Sequence, residues 1–220
     1  DTNQYGITTY KKSGVSENLN SDVIEKQVSI NGVEKKVGLT DTLKISDSGY
    51  SNIDMGLISN GTFDLKLDKL VSKVTIYNPN ASTKNKVYEF NKNVAKVELS
   101  SKNVESNTAI VEYKIQVSNV GKVGGYAKSV VDYLPEGMSF NADLNKDWYI
   151  KDGNAYNTSL ANTIINPGET KEITLVLTKK VNGQNIGLFR NTAEIASEYN
   201  EQGFDDVNSV AGNKADGEND

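Results

Sequence analysis

Apolar and polar side chains alternate with a period of two along several segments of this chain, and this pattern constrains its fold more than any other feature. The clearest segment covers residues 109–118, and similar alternation occurs in 63–71, 172–178 and 189–195. Successive side chains of a β-strand point to opposite faces, so each segment is predicted to be a strand with one buried face. No long stretch has the apolar spacing of a helix. The sequence therefore predicts an all-β fold of two packed sheets.

The composition supports a sandwich with a thin core and predicts three regions along the chain. Hydrophobic residues make up only 36% of the 220 residues, which suits the thin core of a sandwich whose outer faces meet water. We expect a small β-rich N-terminal region, or the end of a preceding domain, in residues 1–60. The main sandwich domain is predicted over 61–198, and the acidic, polar residues 199–220 are predicted to be a loop or linker.

The residue types that are missing exclude several classes of function. The chain has no cysteine and no histidine, so the usual zinc sites, Cys-His catalysis and Ser-His-Asp triads are excluded. A formal net charge of −5 argues against nucleic-acid binding, and no apolar run approaches the ~20 residues of a membrane helix. Carboxylate pairs such as Asp143 and Asp147 have no spacing that singles out a glycosidase-like site. We therefore expect a chain that is not an enzyme.

Several motifs occur in a fixed order along the main domain. A strand ends in Asn119 and Gly121, and the next strand ends in an Asp-x-Leu-Pro-x-Gly sequence. The residues of that second motif and of the segments that follow are Asp132, Leu134, Pro135, Gly137, 144–149, 166–170, 191–195 and the acidic run 208–220. This order resembles the conserved-repeat domain of Gram-positive bacterial surface proteins. The resemblance covers residues 63–220 and implies an immunoglobulin-like sandwich, exposed outside the cell in a wall-anchored protein.

The resemblance leaves two functional classes open. One is a structural stalk module, whose partners are neighbouring repeat domains of the same chain. The other is an adhesin module that binds a host or matrix ligand. The stalk predicts tandem copies and no large groove, whereas the adhesin predicts an exposed aromatic patch.

The acidic C-terminal run suggests calcium as the one cofactor. Hard oxygen ligands lie close together in a glycine-bearing stretch, and calcium takes about six to eight of them. These residues are Asp205, Asp206, Asn208, Asp216, Glu218 and Asp220. The spacing is not that of an EF-hand, because Ala211 stands where that loop requires glycine. The alternative is a solvated acidic linker without metal.

The phase of two strands predicts an internal crosslink between Lys69 and Asn191. Both residues fall on the apolar face of their strands, and burial would lower the pKa of a lysine and leave its amine nucleophilic. We expect the first and last strands of the domain to lie side by side. The attack on the asparagine amide needs an acid, for which Glu112 is the first choice and Asp132 the second. Glu112 needs a β-bulge to turn it inward, since alternation places it on the polar face.

The resemblance supports the crosslink, because related wall proteins join Lys and Asn side chains beside an acid. The alternative for the same residues is structural. Lys69 would extend along the sheet edge into solvent, and Asn191 would hydrogen-bond a turn backbone.

Overall fold

The computed structural model of the chain divides into two compact units, Asp1–Gly61 and Thr62–Asp220. The residues that the structure describes are 5–8, 10–14, 16, 21–43, 53–59, 61–99, 104–184 and 186–214. Within these ranges the regular secondary structure is almost entirely antiparallel strand, and no helix is long and apolar enough to span a membrane.

The N-terminal unit contains two separate two-stranded sheets in its described residues. Strands β1 (Tyr5–Ile7) and β4 (Leu57–Ser59) form one sheet, and β2 (Val23–Ile30) and β3 (Val33–Thr40) form the other. Asn31 and Gly32 join β2 to β3 with positive φ angles of 54° and 78°. This is the geometry of the primed hairpin turn that their sequence predicts.

The second unit is a two-sheet antiparallel sandwich. In chain order its described strands are β5 (Leu65–Tyr77), β6 (Asn85–Lys92), β7 (Thr108–Asn119), β8 (Tyr126–Tyr133), β9 (Ser139–Phe140), β10 (Trp148–Lys151), β11 (Asn154–Asn157), β12 (Thr170–Lys180) and β13 (Thr192–Tyr199). One sheet has the order β6-β5-β7-β12-β9, and the other has the order β10-β11-β8-β13. The predicted all-β sandwich is confirmed.

The core lies between these two sheets and draws alternate residues from both. From the five-stranded sheet, Ile115 and Leu175 are completely buried, and from the four-stranded sheet Ala155 and Ile195 are as well. The alternating segments around 63–71, 109–118 and 172–178 each lie within or overlap a longer strand. Trp148 is also buried in this core, where its indole N–H donates to the carbonyl of Thr174 at 2.7 Å.

The motifs of the main domain have local structural roles. Asn119 is buried, and its amide donates to the carbonyls of Val123 and Ile165 at 2.8 and 2.7 Å. A buried polar side chain needs such partners, so this asparagine fixes the connection between β7 and β8. Gly137 has a φ of 76°, a conformation that favours glycine after the strand-ending Pro135.

The last predicted strand begins later than its alternation suggests. The pattern over 189–195 predicts a strand starting at Phe189, but β13 starts at Thr192 and Phe189 is 39% exposed. Residues 186–190 precede the strand as a loop that packs little apolar surface. Alternation alone does not mark where a strand begins to pair with its neighbour.

The chain after β13 stays attached to the sandwich as far as Lys214. The Leu65 N–H donates to the Asp206 carboxylate at 2.8 Å, and Val207 N–H donates to the Phe63 carbonyl at 3.1 Å. The chain then turns back along β13, where Gly212 N–H donates to the Ile195 carbonyl. The predicted linker 199–220 is therefore part of the folded unit over 200–214, while 215–220 lie outside the described residues.

Candidate crosslinking site

Lys69 is held on the inner face of β5 by the alternation of that strand. It lies directly across from the buried Ile115 of β7, and the side chains of Leu67 and Val71 contact the same core. The side chain of Lys69 is only 9% exposed, so it does not reach solvent along the sheet edge. This is an uncommon position for a lysine, and it requires a partner inside the sandwich.

Asp132 is that partner and comes from the opposite sheet. Its side chain is completely buried, and the Lys69 ammonium donates a hydrogen bond to its Oδ2. Asp132 lies on β8 between Ala155 of β11 and Ala193 of β13, and small neighbours leave room for the lysine. The other carboxylate oxygen, Oδ1, is buried and has no hydrogen-bond partner.

Asn191 completes the cluster from the residue just before β13. Both polar atoms of its side-chain amide are buried, and neither completes a hydrogen bond. The Asp132 carboxyl and the Tyr113 phenol are its polar neighbours, close enough to affect ionisation. An unpaired buried amide costs about 1–3 kcal/mol, so this placement is expensive for a side chain with only a structural role.

Burial moves both ionisable groups of the pair toward their neutral forms. Loss of solvent lowers the pKa of Lys69 to about 8, against the opposing attraction of Asp132. The same effect raises the pKa of Asp132, although Lys69 and Asn191 counteract it. A neutral amine is a nucleophile and a neutral carboxyl is a proton donor, so the two groups have complementary reactivity.

The two strands reach this site in a different way from the one expected. β5 and β13 do not lie side by side, because β5 belongs to the five-stranded sheet and β13 to the four-stranded sheet. Lys69 and Asn191 approach each other across the core. For this contact, each sheet must present an inward-facing residue at the same level of the core. The two strands do not need to be neighbours in one sheet.

Glu112, the first-choice acid, lies outside this cluster. It sits on the outer face of β7, where Lys73 contacts it at 2.6 Å and the Ser72 hydroxyl donates to it at 2.9 Å. Partial burial opposes its ionisation, but these two hydrogen bonds lower the pKa of Glu112. A bulge does occur here, in β5 between Val71 and Lys73, and it leaves Glu112 facing outward.

Tyr113 belongs to the cluster, although the alternation over 109–118 predicts only that it faces the core. It follows Glu112 on β7 and therefore faces inward, with its ring centroid 4.6 Å from the Lys69 Nζ. Burial raises the pKa of Tyr113 to about 12, so its hydroxyl keeps its proton. Alternation could predict that Tyr113 faces inward, but its place beside Val71, two residues from Lys69, follows from the pairing of β7 with β5.

The candidate calcium ligands do not gather in the described residues. Asp206 binds the Leu65 and Asn208 backbone N–H groups, and Asn208 reaches Asp64 at 3.5 Å. Within the ranges that the structure describes, no group of three or more acidic side chains could hold a metal ion. Asp205 lies in the same loop, whereas Asp216, Glu218 and Asp220 fall outside the described residues. The calcium site stays a prediction.

Neither the models of known protein families nor the curated proteins contain a match to the chain.

Proposed function

We propose that this chain is a non-enzymatic structural stalk module of a wall-anchored surface protein of a Gram-positive bacterium, stabilised by an isopeptide bond between Lys69 and Asn191. The observation that supports the bond is the meeting of three side chains, from β5, β8 and the residue before β13, in one buried cluster, with Asp132 between the other two. The resemblance of the ordered motifs to conserved-repeat domains supports the cellular location.

The bond would form once in each molecule, by an intramolecular reaction. Proton transfer from Lys69 to Asp132 inside the core gives a neutral amine and a neutral carboxyl. The Lys69 Nζ attacks the Asn191 Cγ, so a new N–C bond forms and the amide oxygen becomes an oxyanion. Asp132 passes a proton to Nδ2, the Cγ–Nδ2 bond breaks, and ammonia leaves. The amine loses its remaining extra proton to Asp132, which restores the acid.

The path of the chain supports the stalk. The chain enters at Phe63, which lies beside Asp206 and packs at Gly125, near the Tyr199 end of β13. After β13 the chain runs back along that strand, and the Lys214 N–H donates to the Glu194 carboxylate, near the other end of β13. The chain therefore enters the sandwich at one end, and Lys214 lies near the other end, an arrangement that suits modules arranged in series.

Intact mass spectrometry tests the bond directly. The native chain is expected to be one ammonia lighter than its sequence mass, and Lys69→Ala is expected to have the full mass of its own sequence. Lys73→Ala, on the outer face of the same strand, is the matched control and is expected to remain one ammonia lighter. A native chain with its full sequence mass would contradict the crosslink.

An adhesin module is the second candidate, and one feature of the surface favours it. A cleft of about 510 Å³ is lined by residues that include Lys179, Phe189 and Leu188, the last of which is 86% exposed. Lys179 and Arg190 would suit a ligand that carries a carboxylate. Binding of immobilised matrix proteins that is lost in Lys179→Gln would favour this function over the stalk.

A further inference from the structure

Tyr113 touches both partners of the proposed bond, although none of the steps above assigns it a role. Its ring lies against the Lys69 head group, with 4.6 Å between Nζ and the ring centroid. Its phenol lies beside the Asn191 amide and within the field of the Asp132 carboxyl. It is therefore the aromatic side chain placed where the reacting nitrogen and carbon must meet.

The hydroxyl of Tyr113 donates to a weak acceptor, and the Asn191 amide is its other polar neighbour. Its described hydrogen bond runs to the Met138 sulfur at 3.8 Å, and a thioether is a poor acceptor. The residue is 8% exposed, so little of it contacts solvent. A buried hydroxyl that is weakly bonded before the reaction is available to a stronger acceptor that appears during it.

The tetrahedral intermediate creates that acceptor. When Lys69 attacks, the Asn191 Oδ1 changes from an amide oxygen to an oxyanion. Asp132 must also protonate the leaving nitrogen, so it cannot donate a hydrogen bond to the oxyanion throughout the reaction. A second fixed donor beside the amide would stabilise the developing charge in a site that excludes water.

We propose that the Tyr113 hydroxyl donates a hydrogen bond to Asn191 Oδ1 as the bond between Lys69 and Asn191 forms, and so acts as an oxyanion donor in this reaction. The proposal rests on the proposed crosslink. The position of the phenol on the rigid central strand β7, paired with both β5 and β12, keeps this donor in place. Burial also keeps the hydroxyl protonated, since it raises the pKa of Tyr113 to about 12.

The rate of ammonia loss during folding tests the assignment. The full chain, made by cell-free synthesis, is unfolded in denaturant before it crosslinks and is then diluted, and its mass is followed with time. Tyr113→Phe keeps the ring and removes the hydroxyl, and we expect crosslinking to slow by about 100-fold or more. Met138→Leu removes the weak acceptor at similar volume, and its rate should remain within about 2-fold of the native rate.

Two further measurements separate a donor from a packing residue. Fluorotyrosine at position 113 has a more acidic hydroxyl and should accelerate the reaction, which a purely structural role would not do. In a Lys69→Ala background, Tyr113→Phe should leave the unfolding midpoint nearly unchanged. If Tyr113→Phe crosslinks slowly and also lowers the unfolding midpoint in the Lys69→Ala background, the slow reaction is explained by lost packing and the assignment is wrong.

The outcomes distinguish this assignment from the crosslink itself. If the native chain never loses ammonia, the crosslink fails and the role of Tyr113 fails with it. If the native chain crosslinks and Tyr113→Phe does so at the same rate, only the role of Tyr113 is overturned.

Discussion

Two lysine–carboxylate pairs start from the same strand, four residues apart, and differ in almost every physical respect. Lys69 faces the core and meets Asp132, with side chains 9% and 0% exposed, whereas Lys73 faces outward and meets Glu112, with 37% and 28% exposed. Burial lowers the pKa of Lys69, while its hydrogen bond to Glu112 raises the pKa of Lys73. Solvent, more than residue type, decides whether such a pair is an ordinary ion pair or a reactive one.

Replacing each lysine by methionine should separate the two pairs most strongly. Lys69→Met removes the proposed crosslink, which would close a loop of 122 residues between positions 69 and 191, and loop-closure entropy predicts a loss of roughly 5 kcal/mol in unfolding free energy. Lys73→Met should change it by less than about 1 kcal/mol. Denaturant titration measures both values. Equal losses would mean that the inner pair has no covalent consequence.

Removing each acid should give an all-or-none difference in mass. Asp132→Asn is nearly the same size but cannot shuttle the protons, so the chain is expected to keep its full mass. Glu112→Gln is expected to lose ammonia, as we expect of the native chain, because Glu112 lies on the other face of β7. Crosslinking that survives in Asp132→Asn but stops in Glu112→Gln would reverse the assignment of the acid.

The pH dependence of stability should have opposite signs for the two lysines. In Asn191→Ala, which cannot crosslink, folded Lys69 releases its proton near pH 8 and the unfolded chain near 10.5. The unfolded state then binds more protons between these values, so stability should rise with pH across that window. Lys73 has a raised pKa, so its contribution is present below pH 10.5 and is lost as pH rises further.

Denaturation midpoints of Asn191→Ala at about pH 7.5 and 9.5 check this sign, with the double variant Lys69→Met/Asn191→Ala as the control that lacks the inner lysine. A rise of the same size in the double variant would assign the effect to other groups.

Salt should produce the smallest difference. A double-mutant cycle between Lys73 and Glu112 should give a coupling of about 0.2–1 kcal/mol, since the pair is partly exposed. That coupling should shrink in 1 M salt, where the screening length is about 3 Å. A coupling that is unchanged by salt would show that the outer pair is better shielded than its exposure indicates.

The sequence was sufficient to place Lys69 but not to select its acid. Alternation assigns Lys69 to the inner face of β5, because a strand has only two faces and its neighbours are apolar. The same alternation places Glu112 outward, and the expected exception requires a bulge in β7. The structure has its bulge on the neighbouring strand, opposite Glu112. Bulge positions depend on pairing between strands, which one strand's pattern does not contain.

Contacts distant in sequence explain the other differences. Composition marks 199–220 as a linker, but Asp206 binds the backbone of Leu65, a residue 141 positions earlier. Similarly, Tyr113 joins the site only because β7 pairs with β5. Local patterns predict which residues face inward, whereas the choice among inward residues depends on the three-dimensional arrangement.

The return of the chain along β13 also protects a vulnerable surface. β13 is an edge strand of its sheet, and the Gly212 N–H donates a hydrogen bond to the Ile195 carbonyl on that edge. A free strand edge is a template on which another chain can add a strand and start aggregation. Residues 212–214 cover part of this edge, and a chain cut after Tyr199 would leave it uncovered.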